Sequence, residues 1–151
     1  MLPQRYEYKR ARNAKQYEFF SEGPKGRIRK LISYAYMGTE NGHDYYNLGF
    51  GDYDLTTKKI NDLIISGNKD RDKILATVAA TALEFTRQIS SCRIVIQGST
   101  ATRTRLYQMK IAAYYQEISE LFDIQCVKEN GHLETFRKGV NYGGFILERK
   151  L

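Results

Sequence analysis

The run DRDKILATVAATALEFTRQ at residues 70–88, followed by SCRIVIQGST at 91–100, decides how the rest of the chain is read. In the first part Ile74, Val78, Ala82, Phe85 and Ile89 recur at helical spacing, with Leu75 beside them, so one face of a helix is apolar. Asn68 or Asp70 can cap that helix, and Asp70 and Asp72 suit the partial positive charge of its first turn. In the second part Ile94, Val95 and Ile96 form a continuous apolar run, the pattern of a short strand buried on both sides. A second helix is expected to start after Gly98-Ser99-Thr100. Its inner face is marked by Leu106 and Met109, a break falls near 110–112, and a further helical stretch runs to Phe122.

Upstream the periodicity is that of strands. Residues 17–21 read as a first strand, and Glu22-Gly23-Pro24-Lys25-Gly26 as a turn. Residues 27–36 form a long strand on which Ile28, Ile32, Tyr34 and Tyr36 share one face. Lys30 falls on that face and needs a partner or an exit to solvent. Strands at 45–51 and 60–66 follow. Downstream, Asn130-Gly131 is the strongest hairpin signal in the chain, flanked by strands at 124–128 and 132–137, and 143–149 closes the sequence. The expected fold is a single α+β domain at residues 16–151, with a mostly antiparallel or mixed twisted sheet and two or three helices, preceded by a basic flexible arm at 1–15.

Bulk composition agrees. The 151 residues match the size of one domain, 42% are apolar, and 12 Tyr and 7 Phe with no Trp favour pleated, half-buried surfaces. No run is long and apolar enough to span a bilayer, and the N-terminal residues lack the apolar segment of a signal peptide, so a cytoplasmic protein is expected. Cys92 and Cys126 sit in strand-like runs and read as buried free thiols. Two Cys and two His at these spacings make no metal motif, and no cofactor is indicated. The net charge of +7 is unevenly spread: residues 1–30 carry nine basic and three acidic side chains, and the body is nearly neutral. Arg5, Lys9, Arg10 and Arg12 of the arm are therefore the candidates for contact with nucleic acid, with Tyr6 and Tyr8 placed to stack on bases.

Three patches could carry chemistry. Gly98, Ser99, Thr100, Thr102, Arg103 and Arg105 lie where a strand gives way to a helix. Unpaired backbone N–H groups at a helix start attract anions, and arginine holds carboxylate or phosphate in bidentate fashion. The alternative is that Ser99 or Thr100 caps the helix while the arginines pair with Asp52, Asp54, Asp70 or Asp72. Asp52, Tyr53 and Asp54 form a second patch, able to bind a metal, to act as a base, or simply to close a turn. Asp70, Arg71 and Asp72 form a third, at a helix start that is otherwise a solvated first turn.

The runs Gly51-Asp52-Tyr53-Asp54, DRDKILATVA at 70–79 and GSTATRTRLY at 98–107 resemble the signature of an uncharacterised family of small bacterial proteins over about residues 17–150. The resemblance implies a bacterial, cytoplasmic protein and implies no activity. The chain has Lys110 where that pattern has a helix-breaking glycine. The order of meander, helix, strand, helix and final strands is also similar to the acetyl-coenzyme A-dependent N-acetyltransferase fold. That family holds the pyrophosphate on a glycine-rich loop at the first of these helices, and two aspartates stand there in this chain. The leading functional reading is a binding or regulatory module for a phosphorylated or nucleic-acid ligand or a partner protein. The alternatives are an acyltransferase-like enzyme and one component of a toxin–antitoxin-like pair.

Overall fold

The computed structural model describes residues 4–54, 59–61, 68–98 and 100–150, with only the backbone at 52–54 and 59–61. Within them nine strands and three helices form an α+β domain. The strands are β1 (Tyr8–Arg10), β2 (Gln16–Gly23), β3 (Gly26–Glu40), β4 (His43–Asp54), β5 (Lys59–Asn61), β6 (Cys92–Ile96), β7 (Phe122–Lys128), β8 (Leu133–Glu134) and β9 (Tyr142–Arg149). The helices are α1 (Arg71–Gln88), α2 (Ala101–Ala113) and α3 (Tyr115–Leu121).

One mixed sheet runs in the order β1-β2-β3-β4-β6-β9-β7-β8, with β5 paired to β4. Every neighbouring pair is antiparallel except β4 and β6, which run parallel with Asp44 opposite Cys92 and Leu48 opposite Ile96. Parallel neighbours need a long crossover, and α1 supplies it. Beyond Leu48 the two strands part: β4 continues to Asp54 beside β5, while β6 ends and the chain turns into α2.

Alternation along the strands sends one set of side chains to the helices. Tyr17, Phe19, Ile32, Tyr34, Tyr46, Leu48, Phe50, Ile94, Phe145 and Leu147 are buried on that face. Ile74, Val78, Ala82 and Phe85 of α1 close over it, as the helical spacing predicts. Phe85 stacks on Tyr34 with ring centroids 4.2 Å apart and meets Tyr46 edge-on at 5.0 Å. α2 reaches the same face, with Tyr107 against Phe50. Cys92 and Cys126 are buried free thiols, and burial pushes the pKa of each up to about 11.

Several expectations are corrected. Tyr36 shares the face of Ile32 and Tyr34, with its ring 5.5 Å from that of Tyr46, yet it is 55% exposed rather than buried. Lys30 finds a partner rather than an exit and is fully buried. Met109 is not on the inner face of α2: it is 62% exposed, and Thr104, Tyr107 and Ile111 are the buried residues. Apolar side chains are spread around this helix, so spacing alone did not fix its phase. The break comes at Tyr114 rather than near 110–112, and within the unbroken helix the Lys110 ammonium bonds the Asp72 carboxylate at 2.6 Å. β8 is two residues long, against the longer strand expected at 132–137. The Asn130-Gly131 turn is present, with Gly131 at φ +87° and its N–H on the Lys128 carbonyl. The strand expected at 60–66 lies outside the described residues beyond Asn61.

The arm is a strap over the described part of its length. Tyr8–Arg10 pair with β2, and the chain before them runs along α1. The Tyr6 N–H bonds Thr77, the Tyr6 hydroxyl donates to Asp70 at 2.7 Å, and the Tyr8 hydroxyl donates to Glu84 at 2.9 Å. Asp70, Thr77 and Glu84 are seven residues apart in turn, so they lie along one face of the helix.

Candidate functional site

β6 delivers the chain to Gly98 at the start of α2, and the glycine is required there. A Cβ on Gly98 would lie 2.5 Å from the Thr104 nitrogen and 2.7 Å from the Arg103 Cβ. The close approach that glycine allows is thus used by the helix itself. Thr104, buried, locks the corner: its hydroxyl accepts the Gly98 N–H at 3.0 Å and donates to the Thr100 carbonyl at 3.1 Å. Thr100 is the N-cap, and its side chain accepts the Arg103 N–H at 3.2 Å. Among the described residues nothing engages the N–H groups of Ala101 and Thr102.

A cleft of about 440 Å³ opens at this helix start. Thr100, Ala101 and Arg105 form one wall, and Gln97, Glu129 and Asn141 face them. The floor is fixed by Gln108, whose amide donates to the Val140 carbonyl at 2.6 Å and accepts the Tyr142 N–H at 3.1 Å. Tyr142 is itself anchored: its hydroxyl donates to Glu134 at 2.8 Å, and burial followed by that bond raises its pKa. Glu134 is held below the usual carboxylate range by Tyr142 and Arg137.

Of the residues singled out in the sequence, Gly98, Thr100 and Arg105 border the cleft. Thr102 is exposed on the first turn, Arg103 has a partner and does not line the cleft, and Ser99 lies outside the described residues. Of the acids expected to neutralise the arginines, Asp70 and Asp72 are otherwise occupied. Asp70 accepts from Tyr6 and Ser21 and makes no capping bond to α1, although it stands at the N-cap. Asp72 is held low by Lys110 and Tyr114. Asp52, Tyr53 and Asp54 continue β4 opposite Asn61, Ile60 and Lys59, so their backbone is strand rather than turn. Arg71 is exposed on the first turn of α1.

In the arm, Lys9 and Arg12 face solvent, Arg10 sits 3.7 Å from Glu84, and the Arg5 guanidinium lies over the Tyr8 ring. Tyr6 and Tyr8 are not base-stacking platforms here. Tyr6 stacks on Phe19 and Tyr8 meets Tyr17 edge-on. Gln97, Glu129 and Asn141 were not read from the sequence as cleft residues. The pairing of Ile96 with Phe145 brings Gly144 beside Gln97, and that of Lys128 with Tyr142 brings 129 near 141; no local pattern encodes either register.

Fold and cleft together define a small α+β domain with a polar crevice at the carboxyl end of its parallel strand pair, and no described helix is long and apolar enough to cross a membrane. Residues 3–150 match the family of unknown function DUF6934, and the chain belongs to that family. No curated protein and no solved structure matches it.

Proposed function

We propose that the chain is a binding module that takes a phosphorylated ligand, a nucleotide or the end of a nucleic acid, in the cleft at the start of α2. The observation that carries this reading is a cleft large enough for a small ligand at the start of α2, with Ala101 of the first turn and Arg105 among its lining residues. A phosphate on the helix start would offset the dipole cost of placing Arg103 and Arg105 in the first turns, about 0.3–1 kcal/mol each. The amides of Gln97 and Asn141 suit the edges of a base, and Glu129 suits ribose hydroxyls. Lys9 and Arg12 do not line the cleft, and β1, which carries Lys9, lies at the sheet edge away from β6. They would add only salt-sensitive affinity for a polyanion. A cytoplasmic setting, where nucleotides and nucleic acids are at hand, fits this reading.

An acyltransferase-like enzyme is the second reading, favoured by the β4–α1–β6–α2 order, which is similar to that of the N-acetyltransferase fold. Against it, Asp70 and its bonds to Tyr6 and Ser21 occupy the start of α1, where that family holds a pyrophosphate. One experiment separates the two. Thermal melts are run with inorganic phosphate, a nucleoside monophosphate, a short RNA and coenzyme A. The binding reading expects stabilisation by the monophosphate or the RNA, lost in Arg105→Ala, whose ligand-free midpoint is unchanged. Saturation at 100 times Kd corresponds to about 2.7 kcal/mol. Stabilisation by coenzyme A alone favours the enzyme. No shift with any phosphate-bearing ligand removes the reading, and mutual solubilisation with a coexpressed neighbour would then favour a partner protein.

A further inference from the structure

At the far side of the sheet β7 has an open edge. β9 pairs with β7 along its whole length, but on the outer side β8 covers only Cys126 and Val127. The Lys128 N–H and C=O both turn outward, to His132 and Gly131. Strand groups alternate sides, so Ile124 and Phe122 turn outward as well. The Phe122 N–H is taken by the Ile118 carbonyl. Among the described residues that leaves three backbone groups without a partner: the Phe122 carbonyl, and the N–H and carbonyl of Ile124. A cleft of about 440 Å³ lies along them, with Tyr115, Ser119 and Thr135 among its walls.

We propose that this edge receives an extended, uncharged segment of a partner protein, which adds a strand to β7 in line with β8. Backbone pairing with Ile124 and Phe122 would supply three hydrogen bonds, the pattern of strand addition at a sheet edge. The charge of the cleft selects the occupant. Its two cations, Arg93 and Lys150, face Glu148 at 3.3 Å and Asp123 at 3.9 Å. Cations and anions balance, so a polyanion finds no excess positive charge, whereas a neutral strand finds the Tyr115 ring and Thr135 on the cleft walls beside the edge. A second copy fits poorly. Two-fold pairing about Ile124 would set Phe122 opposite a Cys126 whose edge β8 already fills. The open window, residues 122–125, spans about 13 Å at the usual rise of a strand, room for four residues of an incoming peptide.

The test uses the full chain and a capped Thr-Val-Thr-Val-Thr peptide, followed by amide exchange and amide chemical shifts. In the free chain the Ile124 amide is expected to exchange far faster than those of Asp123 and Gln125, which point to β9. With saturating peptide its exchange should slow by about tenfold or more, and shifts should cluster at 122–125. The same peptide with alternate residues N-methylated on the pairing edge should not bind. Thr135→Arg, an exposed substitution on the cleft wall, should abolish peptide binding while leaving free-state exchange unchanged. An Ile124 amide already protected in the free chain, peptide shifts elsewhere on the molecule, or equal binding of the N-methylated peptide would each overturn the proposal.

Discussion

Replacing Phe85 by alanine removes a ring with no exposure to solvent from the centre of the helix-facing core. Truncation of a buried phenylalanine costs about 3–5 kcal/mol, the transfer of the lost atoms plus the cavity left behind. Two features place this site in the upper half of that range. The ring is stacked on Tyr34 with planes 9° apart and meets Tyr46 edge-on at 76°, and each such pair adds about 0.5–1.5 kcal/mol beyond area burial. Collapse around the cavity is also restrained, because the Tyr34 hydroxyl is fixed to Thr81 on the same helix by a 2.9 Å bond. The expected loss is therefore about 4–5 kcal/mol. Urea unfolding followed by circular dichroism gives the measurement, and the midpoint should fall by about 2 M or more at an unchanged slope. Phe85→Leu should cost less than half as much, since it keeps most of the apolar volume and loses only the aromatic geometry. A loss below about 1 kcal/mol for the alanine variant, with the same slope, would show that α1 does not pack on the sheet through this residue.

Gly98→Ala should destabilise by about 1–3 kcal/mol, seen in the same urea assay, because the new methyl meets backbone and cannot be relieved by a rotamer change. Asp72→Asn should cost about 0.5–1 kcal/mol, less at high salt, given how far both partners of the Lys110 pair reach into solvent. The folded Asp72 carboxyl lies below its ordinary value, so its contribution is present at neutral pH and is lost as pH falls through the acid range towards the folded pKa. The wild-type and Asn midpoints should therefore converge on acidification. Cys92 and Cys126 should resist a disulfide reagent at pH 8 in the native chain and react fully in denaturant, as their burial and raised pKa require. Rapid labelling of either thiol without denaturant would contradict the placement of its strand.

The fold class was legible because its strongest signals are local. The stripe of α1 and the Asn130-Gly131 turn follow simple local patterns, whereas β6 is buried on one face only, at Cys92 and Ile94, and not on both sides as its apolar run suggested. Three things were hidden. The phase of α2 was ambiguous because Leu106, Tyr107, Met109 and Ile111 spread over its circumference, and packing on Phe50 chose among them. The docking of the arm depends on hydroxyls reaching Asp70, Thr77 and Glu84, and a basic composition says nothing about such bonds. The site was legible only on its α2 side. Gly98, Thr100 and Arg105 lie in one short run with Gln97 just before it, while Glu129 and Asn141 are brought to them through strand register.

The parallel pairing of β4 with β6 sets a timetable for folding. Asp44 meets Cys92 across 48 residues of chain, from position 44 to position 92, and every antiparallel contact of β2, β3 and β4 closes over far shorter distances. Loop closure must be met before such a remote contact gives anything back, and parallel ladders are slightly weaker per residue. The meander of β2–β4 can thus form early, as can the β7–β8 hairpin. The two remote ladders, β4 with β6 and β6 with β9, the latter across 49 to 55 residues, are expected to close last. Until they close, the edges they will pair are exposed strands, so aggregation during refolding is a hazard of these ladders rather than of the finished molecule.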